Sequence, residues 1–121
     1  MCGMTGFVGK IDGMQDIISS MHRAISHRGP DSSGSWVDEI NGIALGHQRL
    51  AIQDLSEAGH QPMRSPSNRF VVIFNGEIYN HLDLRNSLDK SSSAPISWKG
   101  HSDTETLVTS FEFIGIEETL S

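Results

Sequence analysis

Apolar residues recur along this chain with two different spacings. Met14, Ile17, Ile18, Met21 and Ile25 fall three and four apart, which places them on one face of a helix opening at Gly13. Thr5 to Gly9 reads as a short buried strand near the start. Trp36-Val37 and Ile43-Ala44-Leu45 read as strands joined by a turn at Asn41-Gly42, a pair that suits tight hairpins. Leu50-Ala51-Ile52 reads as a further short strand. Phe70-Val71-Val72-Ile73-Phe74 is the longest apolar run and the best strand candidate, ended by a sharp turn at Asn75-Gly76.

Between these segments the chain turns polar. His27-Arg28-Gly29-Pro30-Asp31 reads as a loop, because Gly and Pro break both regular structures. Ser56 to Arg69 is rich in Gly, Pro, Ser and Asn and reads as a surface loop, and Lys90 to Pro95 as a shorter one. Asn80 is placed to cap a helix carrying Leu82, Leu84 and Leu88. Ser102-Asp103-Thr104-Glu105 has the form of a capping box. The stripe Leu107, Val108 and Phe111 follows and stops near Gly115, after which Ile116 to Ser121 reads as the start of another helix. No internal repeat or domain boundary stands out. Several short strands followed by one-sided helices predict an α+β fold with mainly antiparallel sheets.

Composition narrows the function classes. The chain has 121 residues, of which 36% are hydrophobic and 20% charged, enough apolar material for a packed core. A net charge of −6 gives no electrostatic support for binding nucleic acid. A five-residue apolar run is far shorter than the roughly 20 residues that span a bilayer, and the start lacks the pattern of a signal peptide. A cytoplasmic protein is therefore expected, with neither nucleic acid nor membrane as partner. The single cysteine permits no internal disulfide.

That cysteine is residue 2. Removal of Met1 would put a thiol and a free α-amine on one residue. A thiol with a pKa of about 8.5 is mostly protonated at neutral pH, and an amine of about 7.7–8 can take its proton. A lone cysteine more often packs as a small hydrophobe. Taken singly, Asn75-Gly76 is an ordinary turn, Arg49 an ion-pair partner, and Asp103 a charge suited to a helix start. The six histidines show no metal-binding spacing, so no metal site is expected.

In order along the chain stand Cys2-Gly3, His27-Arg28-Gly29-Pro30-Asp31, Gly46-His47-Gln48-Arg49-Leu50-Ala51-Ile52, Asn75-Gly76-Glu77-Ile78-Tyr79-Asn80 and Gly100-His101-Ser102-Asp103-Thr104-Glu105. Together they resemble the class II glutamine amidotransferases, most nearly the glutaminase domain of asparagine synthetases and their polysaccharide-associated relatives. Asp54 to Met63 strengthens that branch. The resemblance implies the four-layer αββα sandwich of N-terminal nucleophile hydrolases, here incomplete at its C-terminus. It implies that the Cys2 thiolate attacks the side-chain amide of glutamine and releases ammonia. It assigns the oxyanion to the Asn75 amide and the Gly76 N–H, the glutamine α-carboxylate to Arg49, and the α-ammonium to Glu77 and Asp103. Arg28 and Asp31 are expected to brace this site.

The resemblance further implies that residues 1–121 are the front part of a glutaminase domain and are inactive alone. The rest of that domain and a synthetase domain acting in cis would be absent. The glutaminase step needs no cofactor; ATP and magnesium would belong to the synthetase domain, which passes ammonia to a carboxylate to make an amide such as asparagine. An uncovered sheet edge would favour a homo-oligomer. Two other readings stay open. One is a class II amidotransferase with another acceptor, such as a sugar phosphate. The other is a non-catalytic module that binds glutamine or regulates.

Overall fold

A computed structural model describes residues 2–50 and 56–121. The expected strand at Leu50-Ala51-Ile52 and the start of the Asp54–Met63 stretch fall mainly outside the described residues. The chain forms two compact units. One comprises residues up to 52 with 60–62 and 73–75; the other comprises 53–59, 63–72 and 76–121.

The first unit is a three-stranded antiparallel sheet with one helix on it. Strand β1 runs Gly3–Val8, helix α1 Met14–Ala24, β2 Ser32–Asp38 and β3 Ile43–Arg49. The strand order is β1-β3-β2. Pairing runs from Gly3 opposite Gln48 to Val8 opposite Ile43, and from Ser32 opposite Arg49 to Asp38 opposite Ile43. Met14, Ile18 and Ala44 are buried together, with Phe7, Met21 and Val37 packed around them. Fully burying a side chain such as Ile18 stabilises by about 1.5–3 kcal/mol.

Gly13 takes a φ of 71° just before α1, a left-handed conformation that glycine adopts without a Cβ penalty. The helix ends at Ala24, so Ile25 closes the predicted apolar stripe from outside it. The hairpin turn is held by Asp38, whose carboxylate accepts from the Asn41 side chain at 2.8 Å and the Asn41 N–H at 3.1 Å. Those bonds, the side-chain one foremost, lower the Asp38 pKa. The largest departure from expectation is the length of β2. It begins at Ser32, and its serine-rich first half carries no apolar signal because pairing with β3 alone defines it.

The second unit holds strands β4, Met63–Arg64, and β5, Val71–Val72, and helices α2, His81–Ser91, α3, Asp103–Ile114, and α4, Ile116–Leu120. The Ser56–Arg69 stretch is thus not all surface loop. It contains β4, which pairs antiparallel with β5 across a turn in which the Ser65 hydroxyl accepts the Phe70 N–H at 3.1 Å. The expected strand over 70–74 contracts to two residues because its partner offers only two.

Helix α2 follows Asn80 as expected, yet the Asn80 side chain makes no capping bond. Its face also differs from the leucine pattern. Leu88 is buried, Leu82 is 60% exposed, and Arg85 is buried beside Leu88. Helix α3 keeps one half of its capping box: the Ser102 hydroxyl accepts the Glu105 N–H at 3.2 Å. The reciprocal half is absent, because the Glu105 carboxylate turns to the N–H groups of Lys99 at 2.6 Å and Gly100 at 2.9 Å. Every residue from Asp103 to Ser110 is buried, the polar ones included. Phe111 meets Phe70 edge to face at 6.0 Å. Gly115, at a φ of 88°, separates α3 from α4.

At this level the fold is the expected mixture of helices and antiparallel sheets. Among the described residues no helix is long and apolar enough to cross a membrane.

Candidate active site

Cys2 lies at the entrance to β1, half-buried. The ladder register that pairs Gly3 with Gln48, extended by one residue, sets it alongside Arg49. Its sulfur accepts the Leu50 N–H at 3.3 Å and sits 3.5 Å from the Leu50 carbonyl. The nucleophile candidate therefore lies where β3 ends. The Asn75 side-chain amide donates to the Cys2 carbonyl at 2.9 Å. Cys2, Arg49 and Asn75 thus come to one end of the first unit's sheet.

Two neighbours fix that end. The Asp31 N–H donates to the Arg49 carbonyl at 3.0 Å, which ties the end of the His27–Asp31 segment to β3 through its backbone. Gly29 permits this approach, since a Cβ there would collide with the Gln48 carbonyl. The Gln61 side chain, buried, accepts the Phe74 N–H at 2.7 Å. This bond takes Phe74 out of strand pairing and sets the backbone one residue before Asn75. Gln61 escaped the sequence reading as a positioning residue, although it sits in the His60-Gln61-Pro62-Met63 run.

His47 is buried on β3 at 1% exposure. Burial pushes its pKa down to about 4, and the charges of Arg49, His22 and His60 push the same way. The Phe74 backbone lies near the ring but outside hydrogen-bonding geometry, and it offsets only part of this. A ring with that pKa is neutral at neutral pH and a weak proton acceptor. Among the described residues no three His, Cys, Asp or Glu side chains are grouped to share a metal ion.

The other three candidates gather in the second unit. Gly76 and Glu77 are exposed, while Asp103 is buried at the first position of α3. The Ile78 N–H donates to the Asp103 carboxylate at 2.9 Å, which ties the Gly76–Ile78 segment to the helix start. Asp103 thus does favour the positive end of α3, as a helix-start charge does, and it also anchors the segment carrying Gly76 and Glu77. The six candidates fall into two groups of three, one in each unit, and the chain passes from one to the other at Asn75-Gly76.

A family profile described as "Glutamine amidotransferase domain" matches residues 1–121. Asparagine synthetase [glutamine-hydrolyzing] 1 of Bacillus subtilis (strain 168) is 36% identical over 116 residues, covering 92% of this chain and 17% of that protein. The asparagine synthetase [glutamine-hydrolyzing] of Brassica oleracea is 42% identical over 91 residues, covering 73% of this chain and 15% of that protein. The chain thus spans less than a fifth of the length of either relative. The profile match along the whole sequence, and the relatives that share it, establish that this chain belongs to the glutamine amidotransferase domain family.

Proposed function

We propose that this domain hydrolyses the side-chain amide of glutamine to glutamate and ammonia, with Cys2 as nucleophile once Met1 has been removed. The observation that carries the reading is the Asn75 amide held 2.9 Å from the Cys2 carbonyl. A neutral donor of the kind that stabilises an oxyanion lies within bonding reach of the residue whose thiol would create one.

The α-amine of Cys2 takes the thiol proton, and the thiolate attacks the glutamine amide carbon. Negative charge develops on the amide oxygen, where the Asn75 amide and the Gly76 N–H donate to it; Asn75 releases the Cys2 carbonyl to do so. The ammonium of Cys2 returns its proton to the amide nitrogen, the carbon–nitrogen bond breaks, and ammonia leaves a thioester. Water loses a proton to the same amine, attacks the thioester and frees glutamate and the thiol. Arg49 pairs with the α-carboxylate of glutamine, which suits a guanidinium. Glu77 and Asp103 receive its α-ammonium.

The domain takes the αββα sandwich of N-terminal nucleophile hydrolases. The ammonia passes in cis to a synthetase domain that forms an amide such as asparagine. The names of the relatives support this acceptor over a sugar phosphate.

Covalent labelling with a thiol-reactive glutamine analogue tests the reading. Met-processed protein is expected to gain one adduct, mapped by peptide mass to Cys2, and to be protected by glutamine. Cys2→Ala is expected to lower ammonia release by about 10³-fold or more while glutamine binding persists. An alanine variant that kept its hydrolysis rate would remove Cys2 as the nucleophile.

A further inference from the structure

Arg85 is a buried cation on α2 with partners on both sides of Asp103. Its Nη1 donates to the Gly100 carbonyl at 2.7 Å, and its Nη2 to the Ser102 carbonyl at 3.2 Å. Nη2 also reaches the Glu105 carboxylate at 3.5 Å, and Nε donates to the Thr106 hydroxyl at 3.1 Å. The guanidinium carbon lies over the Trp98 ring, 4.0 Å from its centre. Glu105 in turn holds the N–H groups of Lys99 and Gly100. Residues 98–106 are therefore closed around one guanidinium, and Asp103 sits in the middle of that segment. The Ile78 N–H at 2.9 Å completes its setting from the other side.

We infer that Arg85 is a positioning residue that holds Asp103 in place for the α-ammonium group of glutamine. The inference rests on the proposed function and adds to it a residue that touches neither substrate nor nucleophile. An acceptor fixed before the ligand arrives binds it without a further ordering cost. The fork geometry supplies that fixing. A guanidinium can serve the Gly100 and Ser102 carbonyls and the Thr106 hydroxyl together while stacking on an indole; a lysine ammonium keeps the charge and loses the plane.

The test, made in the full-length, Met-processed protein, compares glutamine with glutaramate, the same amide with hydrogen in place of the α-ammonium. Arg85→Lys is expected to lower kcat/KM for glutamine about tenfold, through KM, with kcat within about twofold. The rate on glutaramate is expected to stay as in the wild type, so the preference for the α-amino substrate shrinks. Arg85→Met is expected to extend the same trend. Circular dichroism and the rate of Cys2 alkylation by iodoacetamide report fold and nucleophile in each variant. Equal losses on both substrates, or no loss on either, would overturn the inference. Full-length, Met-processed wild-type protein that alkylates at Cys2 but releases no ammonia from glutamine would instead overturn the proposed function, and this inference with it. Wild-type protein that hydrolyses the two amides equally would remove the ammonium role of Asp103.

Discussion

The two units bury polar side chains to different extents. In the first, Met14, Ile18 and Ala44 form an apolar core against a sheet whose backbone pairs continuously along both sides of β3. In the second, the strands pair over only two residues each, and the apolar Met63, Leu88, Leu107 and Val108 are buried beside a larger polar set that includes Arg85, Ser102, Asp103, Glu105, Thr106, Thr109 and Ser110. Apolar packing fails gradually, as area is lost. A buried polar network holds only while each member has its partner, because an unpaired buried charge keeps its full desolvation cost. The first unit can therefore absorb change by degrees, and the second depends on particular atoms.

Three measurements would sharpen or break this contrast. The largest effect is expected from Glu105→Ala, which takes the carboxylate from the buried Arg85 guanidinium and frees two backbone N–H groups; a loss of about 3 kcal/mol is expected. Amide hydrogen exchange should rise first in α3, and a sheet that opened equally fast would erase the distinction between the units. Close behind comes Ile18→Ala, expected to cost about 3 kcal/mol in denaturant unfolding, with Ile18→Val costing about 1. A valine variant as damaged as the alanine would contradict graded packing.

A smaller effect than that of Ile18→Ala is that of pH on the first unit. The folded chain keeps His47 neutral down to a pH of about 4, whereas the unfolded ring takes a proton near 6.5. Between those values the unfolded state binds more protons. Stability is thus whole above 6.5, declines as pH falls to about 4, and is not reduced further by this group below that. Allowing for solvent screening, the loss is about 2 kcal/mol. His47→Gln should flatten that part of the profile, and an unchanged slope in urea titrations would assign the dependence elsewhere.

Much of the first unit was legible because its signals are local. The spacing of Met14, Ile18 and Met21 and the Asn41-Gly42 turn each need only their neighbours to be read. The end of α3 at Gly115 and the Ser102 cap were legible for the same reason. The failures are tertiary. Phe70 to Phe74 reads as five strand residues, but the Phe74 N–H is taken by Gln61. Leu82 fits the α2 pattern and lies in solvent, while Arg85 is buried by partners between Trp98 and Thr106 that no helical period can announce. The site divides likewise. Motifs named six candidates for it, yet the Leu50 amide at the thiol and the Ile78 bond to Asp103 follow only from the folded chain.

The Arg85–Trp98 stack has an optical consequence. The chain's two tryptophans are divided between the units: Trp36 lies in β2, and Trp98 donates its indole N–H to Asp89 at 3.0 Å beneath the guanidinium. Replacing either with phenylalanine leaves a single intrinsic fluorophore. The emission of Trp36→Phe then follows the surroundings of the guanidinium alone, and that of Trp98→Phe follows the sheet, with no dye attached.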